Sequence, residues 1–386
     1  MARWSDEVRE RLRSPALDAV RDMPGVWVVG GAVRDALLGR DPRELDLLVE
    51  GDTAIVARRL GEPTAVHERF GTFTVAGTDV ASTRREVYAR PGALPEVVLG
   101  ATVAEDLSRR DFTVNALAVR LADGHGEAWP GALEDLEAGV LRMLHAHSFE
   151  DDPTRILRMT RYEARLGFRA EPATARAAAA AIAAGGMGTV SGGRIGSEVR
   201  LALHEPLPGA VLALARDGLG QRAIHPAFAA DAELLKAVVA ATPPGAMPGL
   251  AVLGACLLDA DAVQAALDRL AFPAAERAIV SAAADARALA SRLGVAALPS
   301  EVAEVAARKP AEALAVAAAL GAGEPVRRWL DEWRHVRAAI TREDLVDAGL
   351  QGAAIGAGLR AALAAALDGT ASDRQTQLDV ATGTPR

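Results

Sequence analysis

The stretch VVGGAVRDALLGRDPRELDLLVEGD, residues 28–52, joins two apolar runs through a glycine pair. Gly30 and Gly31 end the first run, so the backbone there can approach a phosphate closely and direct N–H groups at it. Glu44 and Asp46 lie two residues apart, and residues i and i+2 of a strand face the same side. Both carboxylates can therefore bind the same cation, and Mg²⁺ prefers such hard oxygen ligands. This pattern is typical of a site for nucleotidyl transfer.

The composition excludes several classes of protein. A chain of 386 residues is long enough for about two or three domains. Half of the residues are hydrophobic and the formal net charge is −8, so any RNA contact must be local. The single cysteine, Cys256, excludes an internal disulfide and a cysteine-rich zinc site. Because no secretory signal or long apolar run is visible, we expect a soluble cytoplasmic protein with no membrane contact.

The character of the sequence changes near residue 145. Before this point short β-rich runs alternate with turns, and after it alanine and leucine recur at helical spacing. The predicted strands are VWVV at 26–29, LDLLV at 45–49, GTFTV at 71–75, TDVAS at 78–82, EVVL at 96–99 and VNALAV at 114–119. Helices are predicted over 33–39 and 52–60. The last segment, ASDRQTQLDVATGTPR, has no apolar period, and we expect it to fray. The pattern predicts an α/β head followed by an all-helical body.

A second stretch, residues 78–119, carries more polar side chains next to predicted strands. Asp79 lies on one of these strands, where two interpretations are open: a third carboxylate for a pair of Mg²⁺ ions, or a solvated aspartate at a strand end. The motif RRDFTVNA supplies Arg109, Arg110, Asp111 and Asn115. Guanidinium groups suit phosphates, and Asp or Asn side chains can bind ribose hydroxyls. This stretch therefore predicts nucleotide contacts.

Four motifs along the chain resemble those of the class II tRNA nucleotidyltransferases and the related bacterial poly(A) polymerases. They are GGAVRDALLGR…ELDLLVEGD, DVASTRREVYARPGALPEV, EDLSRRDFTVNALA and SFEDDPTRILRMTRYEARLGF, in the order and spacing of that family. The C-terminal segment REDLVDAGLQGAAIGAGLRAALAAALDG is similar as well, so the resemblance covers nearly the whole chain. It implies a template-independent enzyme that adds C, C and A to the 3′ end of tRNA from CTP and ATP.

The resemblance also implies a fold and a domain order. The fold is an α/β nucleotidyltransferase head of the DNA polymerase β-like superfamily, with a small, mostly antiparallel sheet, followed by an all-α body and tail. We expect the catalytic head over residues 1–142, a base-recognising helical neck over 143–205, a body over 206–292 and a tRNA-binding tail over 293–386. The body and tail would hold the acceptor arm and elbow of tRNA through shape and backbone contacts.

Individual residues receive roles from the same resemblance. In the opening stretch, Gly30 and Gly31 would hold the triphosphate. Arg34 and Asp35 would brace this loop, and Glu44 and Asp46 would bind the catalytic Mg²⁺ ions. Residues of the RRD motif would distinguish ribose from deoxyribose: Arg110, Asp111 and Asn115. Residues of the next helix would read the base edge with carboxylate acceptors and guanidinium donors: Asp151, Asp152, Arg155 and Arg158. The two aspartates ahead of Pro153 would also suit a helix N-terminus.

The sequence departs from the family pattern at three positions. Glu44 replaces the usual first metal-binding aspartate, which could shift the metal or slow the reaction. Asp151 replaces the usual glutamate of the base-reading motif. Gly193 stands where the family often has an acid, whereas Arg194 and Glu198 are retained. No essential functional group is lost at these positions.

Three functions are compatible with the sequence. The first is addition of all or part of CCA to tRNA, and the second is a poly(A) polymerase that extends RNA 3′ ends with ATP. The third is an RNA-binding relative without catalytic activity, which the intact acidic and arginine motifs disfavour. The acidic C-terminal segment lacks the basic tail expected of the polymerase. The loop around residues 84–95 carries no deletion, which disfavours addition of CC alone.

Overall fold

The computed structural model describes residues 4–67 and 70–383. Two compact units can be distinguished. Unit 1 comprises the chain up to Ala202 together with Asp217–Ala223, and unit 2 comprises Leu203–Arg216 and the chain from Ile224 onward. The finer division into head, neck, body and tail stays a prediction.

The strands of unit 1 position the acidic residues. They are β1 (Val26–Val29), β2 (Leu45–Val49), β3 (Ala65–His67), β4 (Thr72–Val75), β5 (Thr78–Ser82), β6 (Arg84–Val87), β7 (Glu96–Leu99), β8 (Leu117–Arg120), β9 (Gly126–Ala128), β10 (Val140–Leu141) and β11 (Arg169–Ala170). Seven of them form one sheet in the order β3-β4-β5-β2-β1-β8-β9. Within this sheet only β2 and β5 pair in parallel. The mostly antiparallel sheet expected of the head is therefore confirmed.

Helices surround this sheet and continue through the rest of unit 1. They are α1 (Trp4–Arg11), α2 (Pro15–Val20), α3 (Gly31–Leu37), α4 (Thr53–Leu60), α5 (Val103–Ser108), α6 (Ala132–Ala138), α7 (Ser148–Asp151), α8 (Thr154–Leu166), α9 (Pro172–Ala183) and α10 (Gly192–Ala202). Side-chain caps fix several starts. Asp52 accepts hydrogen bonds from the backbone N–H groups of Ala54 and Ile55 at α4, and Thr102 forms a capping box with Glu105 at α5.

A buried apolar cluster holds α5 against the sheet. Its members come from β1, β2, α5 and the chain around β8: Trp27, Val29, Leu48, Val103, Leu107, Ala116 and Ala118. Because β2 alternates its side chains between two faces, Leu48 and Asp46 share a face of the strand. Burial of Leu48 therefore fixes the direction in which Asp46 projects.

The strand predicted over 114–119 is wrong in its first half. Thr113–Asn115 forms a 3₁₀ turn, and β8 begins only at Leu117. The N–H groups of Asn115 and Ala116 donate to the carbonyls of Phe112 and Thr113, which closes the turn. The Asn115 side chain bonds to Asp111, a local contact that competes with the strand geometry.

Unit 2 is built from helices. The next helix along the chain, α11 (Gly209–Leu214), belongs to unit 2, whereas α12 (Leu219–Ala223) returns to unit 1. The helices that follow are α13 (Ala232–Ala241), α14 (Pro248–Ala255), α15 (Val263–Arg269), α16 (Ala274–Ala284), α17 (Ala286–Val295), α18 (Pro299–Ala306), α19 (Ala311–Ala317), α20 (Gly323–Asp331), α21 (Arg342–Asp347), α22 (Ala353–Leu367) and α23 (Arg374–Thr382). Directly after α14, Cys256 is buried, and burial raises the pKa of its thiol to about 12. None of the helices in the two described ranges is long and apolar enough to cross a membrane.

The segment from residue 371, which we expect to fray, is helical over most of its length. Helix α23 occupies Arg374–Thr382, and residues 384–386 lie outside the described residues. The Asp373 side chain caps the helix by accepting from the Thr376 N–H. Gln377 is buried, where it accepts from the Ala339 N–H and donates to the Ala371 carbonyl. Polar capping, a buried amide and the packing of Leu378 and Ala381 against a buried apolar cluster together hold this helix.

Candidate functional site

The parallel pairing of β2 and β5 brings two predicted carboxylates side by side. Asp46 and Asp79 are direct partners in the register of these strands. Glu44 is exposed and immediately precedes β2. Asp79 is exposed too, and its Oδ1 accepts a hydrogen bond of 2.7 Å from the Thr74 hydroxyl. The sheet thus gathers the three acidic residues that the sequence singled out.

Asp46 is the member of this group whose ionisation is most disturbed. Burial raises the pKa of its carboxyl, and the negative charges of Asp79 and Glu44 raise it further. The positive charges of Arg110 and Arg158 oppose the shift without cancelling it. An anion in this environment would be stabilised by a nearby cation, because that charge offsets both the desolvation and the repulsion between carboxylates.

The donor set fits a magnesium ion held mainly by two carboxylates. Glu44 and Asp46 offer hard oxygens, and Mg²⁺ usually keeps several waters beside one or two protein carboxylates. Within residues 4–67 and 70–383, no group of three or more His, Cys, Asp or Glu side chains is arranged to hold a metal ion on its own. A metal at this site would therefore need ligands from water or from a substrate phosphate.

Next to these carboxylates, the glycine pair forms the turn from β1 into α3. Gly30 adopts φ 68° and ψ −125°, a conformation that only glycine adopts readily. Its N–H donates to the Leu117 carbonyl, and a Cβ at this position would lie 2.7 Å from Nη1 of Arg110. Gly31 is the first residue of α3, and a Cβ there would lie 3.5 Å from Nη2 of Arg34. Of the two glycines, Gly30 is therefore the one required by its backbone conformation, and a side chain there would also displace the end of Arg110.

Arg110 lies against this turn with part of its guanidinium unused. Nη2 donates to Oδ1 of Asp106 at 3.2 Å, and Nη1 donates to the Asn115 carbonyl at 3.4 Å. Its Nε is buried and has no hydrogen-bond partner within the described part of the chain. A buried N–H without an acceptor is costly, so this guanidinium retains an unused donor, while the atom nearest to Gly30 is Nη1.

Arg34 and Asp35, which are predicted to brace the loop, make several hydrogen bonds inside unit 1. Arg34 is 1% exposed, and its Nε and Nη2 donate to Oδ1 of Asp35 at 2.8 and 2.7 Å. Its Nη1 donates to Oδ1 of Asn115 at 2.5 Å. The other oxygen of Asp35 accepts from Nη2 of Arg165 at 2.7 Å. Both residues are thus committed to internal contacts, which leaves them a structural role beside the glycine turn.

Asp111 is held as an anion in the interior. Its Oδ1 accepts from the Phe112 N–H and from Nδ2 of Asn115, at 2.8 and 2.9 Å, and its Oδ2 accepts from Nε of Arg158 at 2.7 Å. Burial alone would raise the pKa of this carboxyl, but Arg158 and Asn115 outweigh it and lower the pKa to about 2. Asp111 is therefore ionised throughout the physiological range.

The four residues expected to read the base have different hydrogen-bond and ion-pair partners in the structure. Asp152 accepts from the Thr154 N–H at 3.0 Å and pairs with Nη2 of Arg194 at 2.7 Å. Arg155 is buried and donates to Ser148 Oγ and to the Arg109 carbonyl, both at 2.7 Å. Asp152 thus binds the N–H of the first residue of α8, while Pro153 occupies the N-cap position without a side-chain cap.

The other two members of this set have partners elsewhere. Oδ2 of Asp151 lies 3.9 Å from Nε2 of His145. Arg158 donates to Asp111, to the Tyr162 hydroxyl at 2.8 Å and to Oε1 of Glu198 at 3.3 Å. A shared base-reading edge formed by all four residues stays a prediction.

Several residues that the sequence reasoning missed stabilise this site. Glu86 on β6 accepts from Arg84 at 3.0 Å, from Arg109 at 2.9 Å and from the Tyr88 hydroxyl at 3.0 Å. Glu86, Tyr88 and Arg109 line a cavity of about 350 Å³ that also reaches Asp151 and Arg155. The segment RREVY places charged residues on a short strand, and it is the sequence feature from which this cluster could have been predicted.

Gly92 makes further contacts that were not predicted from the sequence. Its N–H donates to the carbonyls of Glu150 and Asp151, at 3.1 and 3.3 Å, and its carbonyl accepts from Nη1 of Arg194 at 3.2 Å. A Cβ at Gly92 would lie 2.1 Å from the Thr189 hydroxyl oxygen. The loop between β6 and β7 is thereby joined to the beginning of the base-reading motif.

Comparisons with known proteins agree with this arrangement. A family model described as "Poly A polymerase head domain" matches residues 26–142. An A-adding tRNA nucleotidyltransferase of Geobacter sulfurreducens is 43% identical over 215 residues, which are 52% of this chain and 24% of that protein. A CC-adding tRNA nucleotidyltransferase of Deinococcus radiodurans is 35% identical over 285 residues, which are 71% of this chain and 68% of that protein.

The extent of these matches differs between relatives. The chain spans less than half the length of three A-adding relatives, at 24%, 46% and 23%. Solved structures match over nearly the whole chain. An apo form of a CCA-adding enzyme superposes with a TM-score of 0.82 at 27% identity, over 99% of this chain and 98% of that one. A Thermotoga maritima CCA-adding enzyme complexed with tRNA gives a TM-score of 0.81 at 25% identity, over the same fractions.

Proposed function

Because this chain belongs to the family of tRNA nucleotidyltransferases, we propose that it adds C, C and A to the 3′ end of tRNA from CTP and ATP. One arrangement carries the proposal. Asp46 lies within the field of Arg110, and Arg110 lies against the glycine turn at Gly30. Metal-binding oxygens and a phosphate-binding turn therefore adjoin one another, as transfer of a nucleotidyl group requires.

Glu44 and Asp46 would hold Mg²⁺, with Asp79 as a possible third carboxylate. Enzymes of this family depend in general on divalent metal ions. Bound Mg²⁺ would favour the deprotonated 3′-hydroxyl and neutralise charge on the departing pyrophosphate. Glu44 is one methylene longer than the aspartate usual in the family, and its position before β2 gives it the freedom to reach the same ion.

Other residues of the site would bind and orient the nucleotide. The Gly30 turn and Arg110 would hold the triphosphate, and the unused Nε of Arg110 supports this role. Asp111 and Asn115 would select ribose, while Asp152 and Arg155 at the start of α8 would choose the base. The tRNA 3′-oxygen then attacks the α-phosphorus, the bond from that phosphorus to the β-phosphate oxygen breaks, and pyrophosphate leaves. Catalysis in such a site consists mainly of positioning and charge neutralisation.

The partner would be tRNA, bound through its acceptor arm and elbow. The Thermotoga maritima neighbour, which was solved with tRNA, supports this choice, as do the tRNA-directed names of the curated relatives. Relatives that add only A and relatives that add only CC both match the chain, so partial addition is the alternative product. Poly(A) synthesis is the second alternative, since the head domain model carries that name.

An assay at single-nucleotide resolution tests the proposal. The protein is incubated with Mg²⁺ and tRNA transcripts that lack the three terminal nucleotides, end in CC or end in CCA, with CTP, ATP or both. We expect the first transcript to gain CCA, the second to gain A and the third to remain unchanged. Asp46→Asn, prepared identically, controls for a contaminating host enzyme.

Each other product pattern has a defined meaning. Addition that stops at CC, or that occurs only on CC ends, supports the corresponding partial activity instead. Growth of long tracts from ATP on an unrelated RNA supports poly(A) synthesis. If no substrate is extended, the proposed function is wrong.

A further inference from the structure

We infer that Arg165 is a positioning residue for nucleotide selection, although it lies near the far end of α8 from the base-reading motif. The inference rests on the proposed function. Asp152 and Arg155 mark the start of α8, and Arg165 lies one residue before its end at Leu166. Its side chain is 15% exposed and its Nη2 pairs with Oδ2 of Asp35 at 2.7 Å.

This pair begins a chain of contacts that leads back to α8. From Asp35 the path runs to Arg34, whose Nη1 donates to Oδ1 of Asn115. The amide nitrogen of Asn115 donates to Asp111 at 2.9 Å, and Asp111 accepts from Nε of Arg158 at 2.7 Å. Since Arg158 and Arg165 both belong to α8, the contacts form a closed circuit. We call these six residues the α8 circuit: Arg34, Asp35, Asp111, Asn115, Arg158 and Arg165.

Tyr162 lies on the same helix between the two anchoring arginines. The guanidinium carbons of Arg34 and Arg158 lie 5.3 and 5.5 Å from the centre of its ring, within the range of cation–π contacts. Its hydroxyl also accepts from Arg158. The ring therefore packs against two members of the circuit and restricts their rotamers.

The circuit ties two parts of the nucleotide site together. Asp111 and Asn115 are the predicted sugar contacts, and α8 carries the predicted base contacts at its other end. Two anchors about seven residues apart fix both the position and the tilt of a helix, whereas one anchor permits rotation about the contact. Because selection between bases depends on sub-ångström placement, loss of the Arg165 anchor should let the base-reading end shift relative to the sugar.

The ion pair between Arg165 and Asp35 is largely buried, which distinguishes it from an ion pair at the surface. The Asp35 side chain is 4% exposed and that of Arg34 is 2% exposed. Asp35 is shared between two arginines, so removal of Arg165 leaves one carboxylate oxygen without this donor and frees Asp35 to follow Arg34. The structural change would therefore extend through Arg34 to Asn115. Substitution of an exposed arginine would not have this effect.

The test compares nucleotide selectivity in Arg165→Met with that of the wild-type protein. The ratio of kcat/KM for CTP to that for UTP, and for CTP to 2′-deoxy-CTP, is measured on tRNA that lacks its three terminal nucleotides. We expect both ratios to fall about tenfold or more, with the fall in kcat for CTP exceeding any rise in KM. A ratio is independent of the fraction of folded enzyme, so a general loss of stability would leave it unchanged.

Controls separate the circuit from ordinary ion pairs. Arg120→Met removes a pair with Asp123 in the same unit outside the circuit, and both ratios should stay at wild-type values. Arg165→Lys retains the charge and should recover most of the selectivity. Asp35→Asn combined with Arg165→Met should lower the ratios no further than the more affected single variant, because both act through one contact.

The outcomes distinguish this inference from the proposed function. If Arg165→Met does not fold, Arg165→Gln replaces it, with the same expectation. Wild-type activity with unchanged ratios in the Arg165 variants overturns the inference alone. If the wild-type protein extends no tRNA, the proposed function fails and the inference fails with it.

Discussion

Asp46 stands out among the carboxylates of the site because its surroundings oppose its charge. Burial and the neighbouring acids Asp79 and Glu44 all raise the pKa of its carboxyl. A protein retains such a group at a cost to its own stability unless a ligand compensates. The arrangement is therefore better explained by cation binding than by a contribution to folding.

The variant Asp46→Asn should distinguish cation binding by Asp46 from a contribution of Asp46 to folding. We expect Mg²⁺ to raise the melting temperature of the wild-type protein and to have little effect on the variant, which has lost a charged ligand. Without Mg²⁺ the variant should be at least as stable as the wild type, since repulsion between carboxylates is relieved. Differential scanning fluorimetry over a magnesium titration measures both quantities.

Asp79→Asn is the matched variant for the open question at β5. If Asp79 is a third ligand, its substitution should weaken the magnesium response as Asp46→Asn does. If it is a solvated aspartate held by Thr74, the magnesium response should persist. If Mg²⁺ does not change the melting temperature of the wild-type protein, the proposed metal site is wrong.

Asp111 gives the opposite case, a carboxylate stabilised as an anion. Its pKa falls from 3.8 to about 2, because Arg158 and Asn115 outweigh the effect of burial. A depressed pKa in the folded state contributes stability above the unfolded pKa, and that stability is lost as the pH falls through the folded value. The contribution is about 2 kcal/mol at neutral pH, from about 1.4 kcal/mol per pKa unit.

Asp111→Asn should therefore lower the free energy of unfolding by about 2 kcal/mol or more at pH 7. The difference from the wild type should shrink between pH 4 and pH 2, as the wild-type carboxyl becomes protonated. Urea unfolding at a series of pH values measures this difference. A constant difference down to pH 2 would show that the effect comes from lost packing and not from the charge.

Some of these residues were accessible from the sequence and others were not. Gly30, Asp46 and Asp111 occur in short motifs whose spacing indicates their chemistry. Arg165 was not identified, because its partner Asp35 lies 130 positions away and single-sequence patterns carry no pairing information. The contacts of Arg158 were not predicted for the same reason, since Asp111 and Glu198 reach it from separate elements.

At the scale of elements, the turn from β1 into α3 depends on the positive φ of Gly30. Gly30→Ala should lower the free energy of unfolding by about 1–3 kcal/mol, since a side chain at this φ is strained and its Cβ meets Arg110. It should also displace the guanidinium and reduce nucleotide addition. Thermal unfolding and the tRNA extension assay measure the two effects.

The neighbouring glycine provides the control. Gly31 lies at the start of α3 without a positive φ, and a Cβ there meets only ordinary contacts. Gly31→Ala should therefore have a stability close to that of the wild type. Equal destabilisation by both substitutions would contradict the proposed difference between the two glycines.

The elements themselves were predictable where one physical signal dominated. Strands β1, β2 and β5 follow from short runs of β-branched and apolar residues between turn residues, and their predicted bounds agree with the structure. The strand prediction failed where Thr113–Asn115 forms a 3₁₀ turn, and α23 was not predicted, because specific side-chain contacts contribute to the local conformation in both places. Caps and buried amides are specific contacts that average hydropathy does not record.

At the scale of the whole molecule, the sequence indicated the class of protein more readily than its internal divisions. The acidic composition and the change near residue 145 predicted an α/β part and a helical part. The boundary between the two compact units lies around residues 203–223, where the chain passes between them more than once. Such a boundary depends on tertiary contacts, and the helical periodicity is the same on both sides of it.

The buried thiol of Cys256 provides a native reporter of conformational opening. As the single cysteine of the chain, it would give one labelling signal without mutagenesis. Its side chain is in the core of unit 2, with a thiol pKa raised to about 12, so a thiol-reactive dye can modify it only when that region opens. We expect labelling in native buffer to be at least about a thousandfold slower than in urea, as for an opening free energy of about 4 kcal/mol. Rapid labelling of the native protein would contradict the burial. The rate, followed with and without tRNA, would then measure how strongly RNA restrains the helical unit.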